Sequence, residues 1–175
     1  MAEEKFELQT LGRLHDRQGF NSGVDGLDRY FKAQASQDVR RRANAVFVLV
    51  RPARPTFVVG YFSLCATGLL PEDVPENIRK HLPRYPSVSA TLLGRLAVTE
   101  AEQGRGVGSA MLVRALRLAW QNVDVIGSCM VVVDALDERA AGFYEAHRFE
   151  RLPDSLRLIL PMRTLDGLFG EREGE

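Results

Sequence analysis

Apolar residues Leu27, Tyr30, Phe31 and Ala35 recur at helical spacing while Arg29, Lys32 and Ser36 fall between them, which predicts an amphipathic helix over residues 25–38. Ser22 or Asp25 stands where a side-chain oxygen would cap it. The unbroken apolar run Ala45 to Val50, the connector Arg51-Pro-Ala-Arg-Pro55 and the run Thr56 to Ala66 read as an antiparallel pair of strands. Residues 67–87, rich in proline, are expected to form a long loop with a short helical stretch from Asp73 to His81. Thr91 to Val98 resumes a strand, Gln103 to Gly108 makes a glycine-rich turn, and a helix follows to Gln121, with Leu112, Leu116 and Ala119 opposing Arg114, Arg117 and Gln121. Met130 to Val133 reads as a buried strand and Asp137 to Glu145 as a helix with Asp137 as N-cap. Phe149 to Leu152 and Leu156 to Leu160 read as a closing hairpin around Pro153-Asp154. This order predicts an α+β domain, a three-layer α/β arrangement in which helices flank a mixed sheet.

With 175 residues the chain is of single-domain size; the domain is placed at residues 1–165, and residues 166–175, acidic at their end, are expected to be a frayed tail. Cys65 and Cys129 lie in apolar runs with no Cys or His at metal-ligand spacing, so they read as buried free thiols and no metal is expected. The first residues, Met-Ala-Glu-Glu-Lys-Phe, do not resemble a signal peptide, and no apolar run approaches the ~20 residues of a membrane span, so a cytoplasmic protein is expected, without a membrane partner. Basic and acidic residues balance at 23 each, which excludes an indiscriminate polyanion binder but not a local basic patch.

The run Gln103-Gly-Arg-Gly-Val-Gly108 follows a strand and opens a helix. Its glycines allow a tight turn in which several N–H groups converge on one anion, beside the partial positive charge of the helix N-terminus. The spacing differs from the dinucleotide Gly-x-Gly-x-x-Gly fingerprint and lacks the Gly-Lys-Ser/Thr of a triphosphate loop.

In its setting after Leu96-Ala-Val98, the Gln-x-x-Gly-x-Gly pattern resembles the pyrophosphate loop of the GCN5-related N-acetyltransferases (GNAT). The segment Asp137-Glu-Arg-Ala-Ala-Gly-Phe-Tyr-Glu-Ala-His-Arg-Phe149 resembles the second signature of that family. The resemblance is strongest over residues 90–160. It implies a GNAT-like, mostly antiparallel mixed sheet and acetyl-CoA as co-substrate. Leu96, Ala97 and Val98 would pair with the pantetheine arm and Gln103, Gly104, Arg105, Gly106, Val107, Gly108 and Ser109 would hold the pyrophosphate, with Asp137 and Phe143 also on the cofactor side. Tyr144 matches the tyrosine that protonates the leaving thiolate; a phenol of pKa about 10 is neutral and able to donate at pH 7. On the helix of the second signature, Ala140, Phe143 and Tyr144 are expected to share a face. Arg148 departs from the family pattern, which often has Gly there as a helix stop.

The pieces Phe20-Asn-Ser-Gly-Val-Asp-Gly-Leu-Asp-Arg-Tyr-Phe31, Gly60-Tyr-Phe-Ser-Leu64 and Leu93-Gly-Arg-Leu-Ala-Val98 resemble the GNAT toxins of bacterial toxin–antitoxin pairs. That likeness implies acetylation of the α-amino group of aminoacyl-tRNA, a ribbon-helix-helix antitoxin and a homodimer. Between Arg29 and Arg54 stand seven basic residues and one acid, Asp38, a net +6; Arg79, Lys80 and Arg84 form a second group. Arg40, Arg41, Arg42 and Arg95 are the candidates for tRNA contact, by counterion release at phosphates. An α-amine of pKa about 7.7–8.0 is partly deprotonated at cellular pH, so the chemistry needs no strong base. Glu100 and Glu102, near the turn, read equally well as acids at a helix end. The alternatives are acetylation of a small amine or protein N-terminus, and a non-catalytic CoA-binding regulator.

Overall fold

Valine and aromatic side chains crowd a helix but pack well on a pleated strand, and the runs rich in them are the strands of this chain. The computed structural model describes residues 5–170. In chain order its elements are β1 (Glu7–Thr10), α1 (Asp25–Arg29), a π-helical turn (Tyr30–Gln34), α2 (Ala35–Arg41), β2 (Ala45–Val50), β3 (Gly60–Leu69), α3 (Glu76–Arg79), β4 (Val88–Val98), α4 (Val107–Gln121), β5 (Met130–Asp134), α5 (Glu138–Glu145), β6 (Glu150–Arg151), β7 (Arg157–Pro161) and α6 (Met162–Phe169). Seven strands take the order β1-β2-β3-β4-β5-β7-β6. β4 runs parallel to β5, whereas β1–β2, β2–β3, β5–β7 and β6–β7 are antiparallel. This is the expected mixed, mostly antiparallel sheet with helices. No helix among the described residues is long and apolar enough to cross a membrane.

The described residues form two compact units, residues 5–65 with 94–115 and residues 66–93 with 116–170. In the first, Val46, Val48 and Val50 of β2 and Tyr61 of β3 share a core with Phe20, Tyr30, Phe31 and Ala35. Phe47 and Phe62, register partners on adjacent strands, stack at 5.2 Å. The second strand of the predicted pair begins at Gly60 rather than Thr56. Arg54 N–H closes a turn on the Arg51 carbonyl, and Phe57 N–H another on that of Arg54, which takes up the residues before Val58. At Gly60 a Cβ would lie 2.8 Å from the Ala97 carbonyl and 2.9 Å from Met111 Sδ, so only glycine fits there.

The predicted helix over 25–38 runs on to Arg41 and widens into a π turn at Tyr30–Gln34, which turns both Tyr30 and Phe31 inward. Neither Ser22 nor Asp25 caps it; Val24 is the N-cap. The Ser22 hydroxyl and N–H instead donate to the buried Asp28 carboxylate, at 2.6 and 2.9 Å. The helix stops at Arg42, whose φ of 59° is left-handed; Arg42 N–H reaches the Val39 carbonyl and Ala43 N–H that of Asp38, a Schellman closure.

In the second unit β5 lies between β4 and β7, and Met130, Val132, Ile159, Ala90, Val88 and Leu69 fill the core. The expected loop 67–87 loses its first residues because β3 extends to Leu69; of its expected helical stretch 73–81 only α3 forms, after a 3₁₀ turn at Pro71–Asp73. The predicted closing hairpin is β6–β7. Residues 166–169, expected within a frayed tail, belong to α6: Trp120 Nε1 donates to Asp166 at 2.8 Å, and Phe169 packs on Trp120 and Arg117. Residues 171–175 of that tail lie outside the described residues.

Candidate functional site

The glycine turn is built between the end of β4 and the start of α4. Gly104 and Gly106 have φ of 75° and 77°, the left-handed region that glycine enters without strain, and a Cβ at either would meet nothing within 4 Å. The turn therefore needs glycine for its backbone path and faces open space. The first N–H of α4 used inside the helix is that of Ala110, bonded to the Gly106 carbonyl at 3.1 Å. Those of Val107, Gly108 and Ser109 are the free first-turn donors of the helix, pointing with its dipole toward any anion there. Val107 is buried, so it anchors the turn and offers only its backbone.

Gln103 leaves the expected donor set. Its N–H bonds the Glu100 carbonyl at 3.2 Å, and its side-chain Nε2 donates to the carbonyls of Ser22 at 2.7 Å and Val98 at 2.9 Å. It is a brace for the turn. The same bond occupies the Val98 carbonyl, while Leu96 and Val98 stay half-buried and Ala97 is buried. Residues 21–23 form the other half of the brace: Thr99 Oγ1 and Glu100 N–H both donate to the Asn21 carbonyl.

Glu102 is claimed by Arg51, whose Nη1 and Nη2 donate to its two oxygens at 2.8 and 2.7 Å. Those hydrogen bonds hold its carboxyl below the ordinary glutamate range. Arg105 is largely exposed, 3.9 Å from the same carboxylate, and so stays available beside the turn. Glu100 is exposed and accepts from Asn21 Nδ2 at 3.4 Å. The Arg51–Glu102 pair escaped the sequence reading, since nothing local links two residues so far apart.

Among the tRNA candidates, Arg95 is half-buried on β4 with its guanidinium 3.5 Å over the Tyr30 ring. Arg40 and Arg41 lie in the last turn of α2 and Arg42 at its left-handed stop, all three exposed. Cations there are also favoured by the helix dipole. Cys65 and Cys129 are half-buried free thiols rather than fully buried ones.

In the second unit, Asp137 caps α5 as expected, its carboxylate accepting from Ala140 N–H at 2.9 Å. The buried stripe of α5 is Ala141 and Tyr144; Ala140 and Phe143, expected on one face with Tyr144, are half-buried. Tyr144 meets Phe143 and Phe149 edge-on at 5.2 and 5.4 Å. Burial pushes its phenol up to about 12, and no described residue hydrogen-bonds its hydroxyl. The hydroxyl is therefore neutral at pH 7. Arg148 has φ of 70°, so it stands in the left-handed helix stop that glycine occupies in many relatives.

A family model described as the acetyltransferase (GNAT) family matches residues 25–149, which takes in both the glycine turn and α5. A tRNA-acetylating toxin of Mycobacterium tuberculosis is 36% identical over 164 residues, covering 93% of this chain and 96% of that protein. A probable toxin TacT of Sinorhizobium fredii is 27% identical over 164 residues, covering 89% and 90%. Among solved structures, AtaT complexed with acetyl-methionyl-tRNAfMet superposes with a TM-score of 0.86 at 25% identity, over 94% of this chain and 99% of that one. Taken with the left-handed glycine turn and the buried phenol of Tyr144, the match places this chain in the GNAT acetyltransferase family.

Proposed function

We propose that the protein transfers the acetyl group of acetyl-CoA to the α-amino group of aminoacyl-tRNA and acts as the toxin of a type II toxin–antitoxin pair. The observation that carries this reading is the likeness, along nearly the whole of both chains, to a tRNA-acetylating toxin. The solved AtaT complex with an acetylated aminoacyl-tRNA supports the same acceptor.

Acetyl-CoA supplies an activated thioester. Gly104, Arg105, Gly106, Val107, Gly108 and Ser109 hold its pyrophosphate through backbone N–H groups and the Arg105 charge, and Leu96, Ala97 and Val98 line the pantetheine arm. The open space over Gly104 and Gly106 fits that role. Asp137 acts by holding the first turn of α5, and Phe143 by packing against Tyr144. The neutral acceptor amine attacks the thioester carbonyl; an N–C bond forms, the C–S bond breaks, and the amine proton is lost to solvent. Tyr144 gives its phenolic proton to the departing thiolate and is reprotonated from water. Arg95 and the exposed Arg40, Arg41 and Arg42 hold tRNA phosphates.

The reaction belongs in the cytoplasm, where charged tRNA is used. The resemblance to the toxin branch further implies a homodimer and a ribbon-helix-helix antitoxin, to be tested by light scattering and by co-purification with the product of the neighbouring gene. The direct test supplies labelled acetyl-CoA and purified charged tRNA to the wild type and to Tyr144→Phe. Label on the α-amine that depends on Tyr144 supports the reading; label only on free amines or peptides overturns it.

A further inference from the structure

We propose that Tyr30 is a positioning residue, whose ring face holds the Arg95 guanidinium with its N–H edge open to one phosphodiester of a single-stranded RNA end. This rests on the aminoacyl-tRNA reading given above.

Arg51 and Arg95 of the first unit both lie over a ring, Phe6 and Tyr30, but differ in what their N–H groups meet. Arg51 is bound by Glu102 through two oxygens, which satisfies its fork. Arg95 lies on a ring, 3.5 Å from the Tyr30 centroid, and among the described residues no carboxylate or carbonyl accepts from it. A ring face attracts a cation without using its N–H donors, whereas a carboxylate consumes them. The planar fork of Arg95 is thereby left with the geometry that matches two oxygens of a phosphate.

The nearby acid, Asp38, attracts Arg95 electrostatically but makes no hydrogen bond to it. Asp38 accepts from the Tyr30 hydroxyl at 2.8 Å, Gln34 Nε2 at 2.9 Å and Asn44 Nδ2 at 3.0 Å, so three neutral donors occupy its oxygens. The first of those bonds also fixes the Tyr30 ring. Burial and the Asp38 bond push the Tyr30 phenol up to about 12, which keeps the ring neutral. The π-helical turn supplies the placement: it sends Phe31 against Tyr61 at 4.4 Å and leaves Tyr30 next to it, 6.4 Å from Tyr61. The surrounding segment from Arg29 to Arg54 carries a net +6, which suits a polyanion rather than a small neutral acceptor.

The test measures acetylation of charged tRNA over a range of salt for wild type, Tyr30→Phe, Tyr30→Leu, Arg95→Gln and the Tyr30→Leu/Arg95→Gln double variant. Loss of the ring or of the guanidinium is expected to raise KM for aminoacyl-tRNA roughly tenfold and to lower the salt slope by about 0.7, the share of one single-strand phosphate. Tyr30→Phe, which keeps the ring, should stay within about threefold, and KM for acetyl-CoA should not move in any variant. The double variant should be no worse than Arg95→Gln, because the ring acts through the arginine. Single-variant effects that multiply in the double variant, or an unchanged tRNA KM in Arg95→Gln, overturn the inference. Should Tyr30→Leu fail to bind acetyl-CoA by calorimetry, Arg95→Lys decides: a raised tRNA KM with the salt slope kept supports the open fork, and wild-type KM refutes it. A wild type inactive on charged tRNA would overturn the function itself, whereas an active wild type with unaffected variants overturns only the role of Tyr30.

Discussion

Arg51, directly after β2, grips Glu102, in the segment leading into the glycine turn, through two parallel hydrogen bonds of 2.8 and 2.7 Å. The pair does two things at once. It ties the turn to the sheet, and it neutralises a carboxylate that would otherwise repel an anion at the turn, such as the pyrophosphate of the proposed function.

Breaking the pair from the arginine side leaves Glu102 charged and buried. Arg51→Ala is therefore expected to cost about 3 kcal/mol of unfolding free energy. It should also weaken acetyl-CoA binding, while Arg51→Ala/Glu102→Gln recovers much of both losses. Urea unfolding and calorimetry with acetyl-CoA check this; additive losses in the double variant would show that the two residues act separately.

The same pair sets an acid dependence. Hydrogen bonds from Arg51 depress the Glu102 pKa in the folded chain. Its stabilisation is thus complete above the unfolded glutamate value, about 4.3, and is lost as pH falls through the lower folded value. Chemical denaturation from pH 6 to pH 3 should show a steeper loss for wild type than for Arg51→Ala/Glu102→Gln.

Tyr144→Phe should lower kcat by about a hundred- to ten-thousand-fold, the usual span for one general acid, with acetyl-CoA affinity kept. Because burial raises the phenol to about 12, the wild-type rate should show no alkaline fall from Tyr144 below pH 10. The rate should instead climb toward pH 8 as the acceptor amine, pKa about 7.7–8.0, deprotonates. A pH–rate profile with charged tRNA reads both limbs.

Gly104→Ala tests the backbone path of the turn separately from its space. A Cβ there meets nothing within 4 Å, yet φ is 75°. The cost should be about 1 kcal/mol of strain, seen as a several-fold rise in KM for acetyl-CoA, with the tRNA KM unchanged.

Arg148→Gly should act in the opposite direction. Arg148 holds a φ of 70° at the end of α5, so glycine relieves left-handed strain there and is expected to stabilise the fold by about 0.5–1 kcal/mol without altering turnover. A lower melting temperature would mean that the arginine side chain contributes more than its backbone costs.

Where a residue's neighbours in sequence are also its partners in space, the chain could be read directly. The glycine turn opening α4, the Asp137 cap three residues from Ala140, and the β6–β7 hairpin all belong to this class, because they obey short-range rules of turns and capping. The strand ends at Gly60 and Leu69 did not, since they depend on turns and on partner strands. Nor did the Ser22 and Gln103 roles. Both residues carry polar groups suited to a cap or a ligand, but Asp28 and the Val98 and Ser22 carbonyls lie closer in the fold.

The sequence by itself therefore determined the α+β class, which follows from local spacing, and carried the resemblance to the acetyltransferase signatures that singles out Tyr144. Only the tertiary structure decided which charges are spent and which remain open. Arg51 and Arg95 are the same residue type, each at a strand of one basic-rich unit and each over a ring; only Arg51 is also hydrogen-bonded to a carboxylate among the described residues. That difference is made by long-range packing, which brings Glu102 to the first and a π-helical Tyr30 to the second, and no periodicity along the chain encodes it.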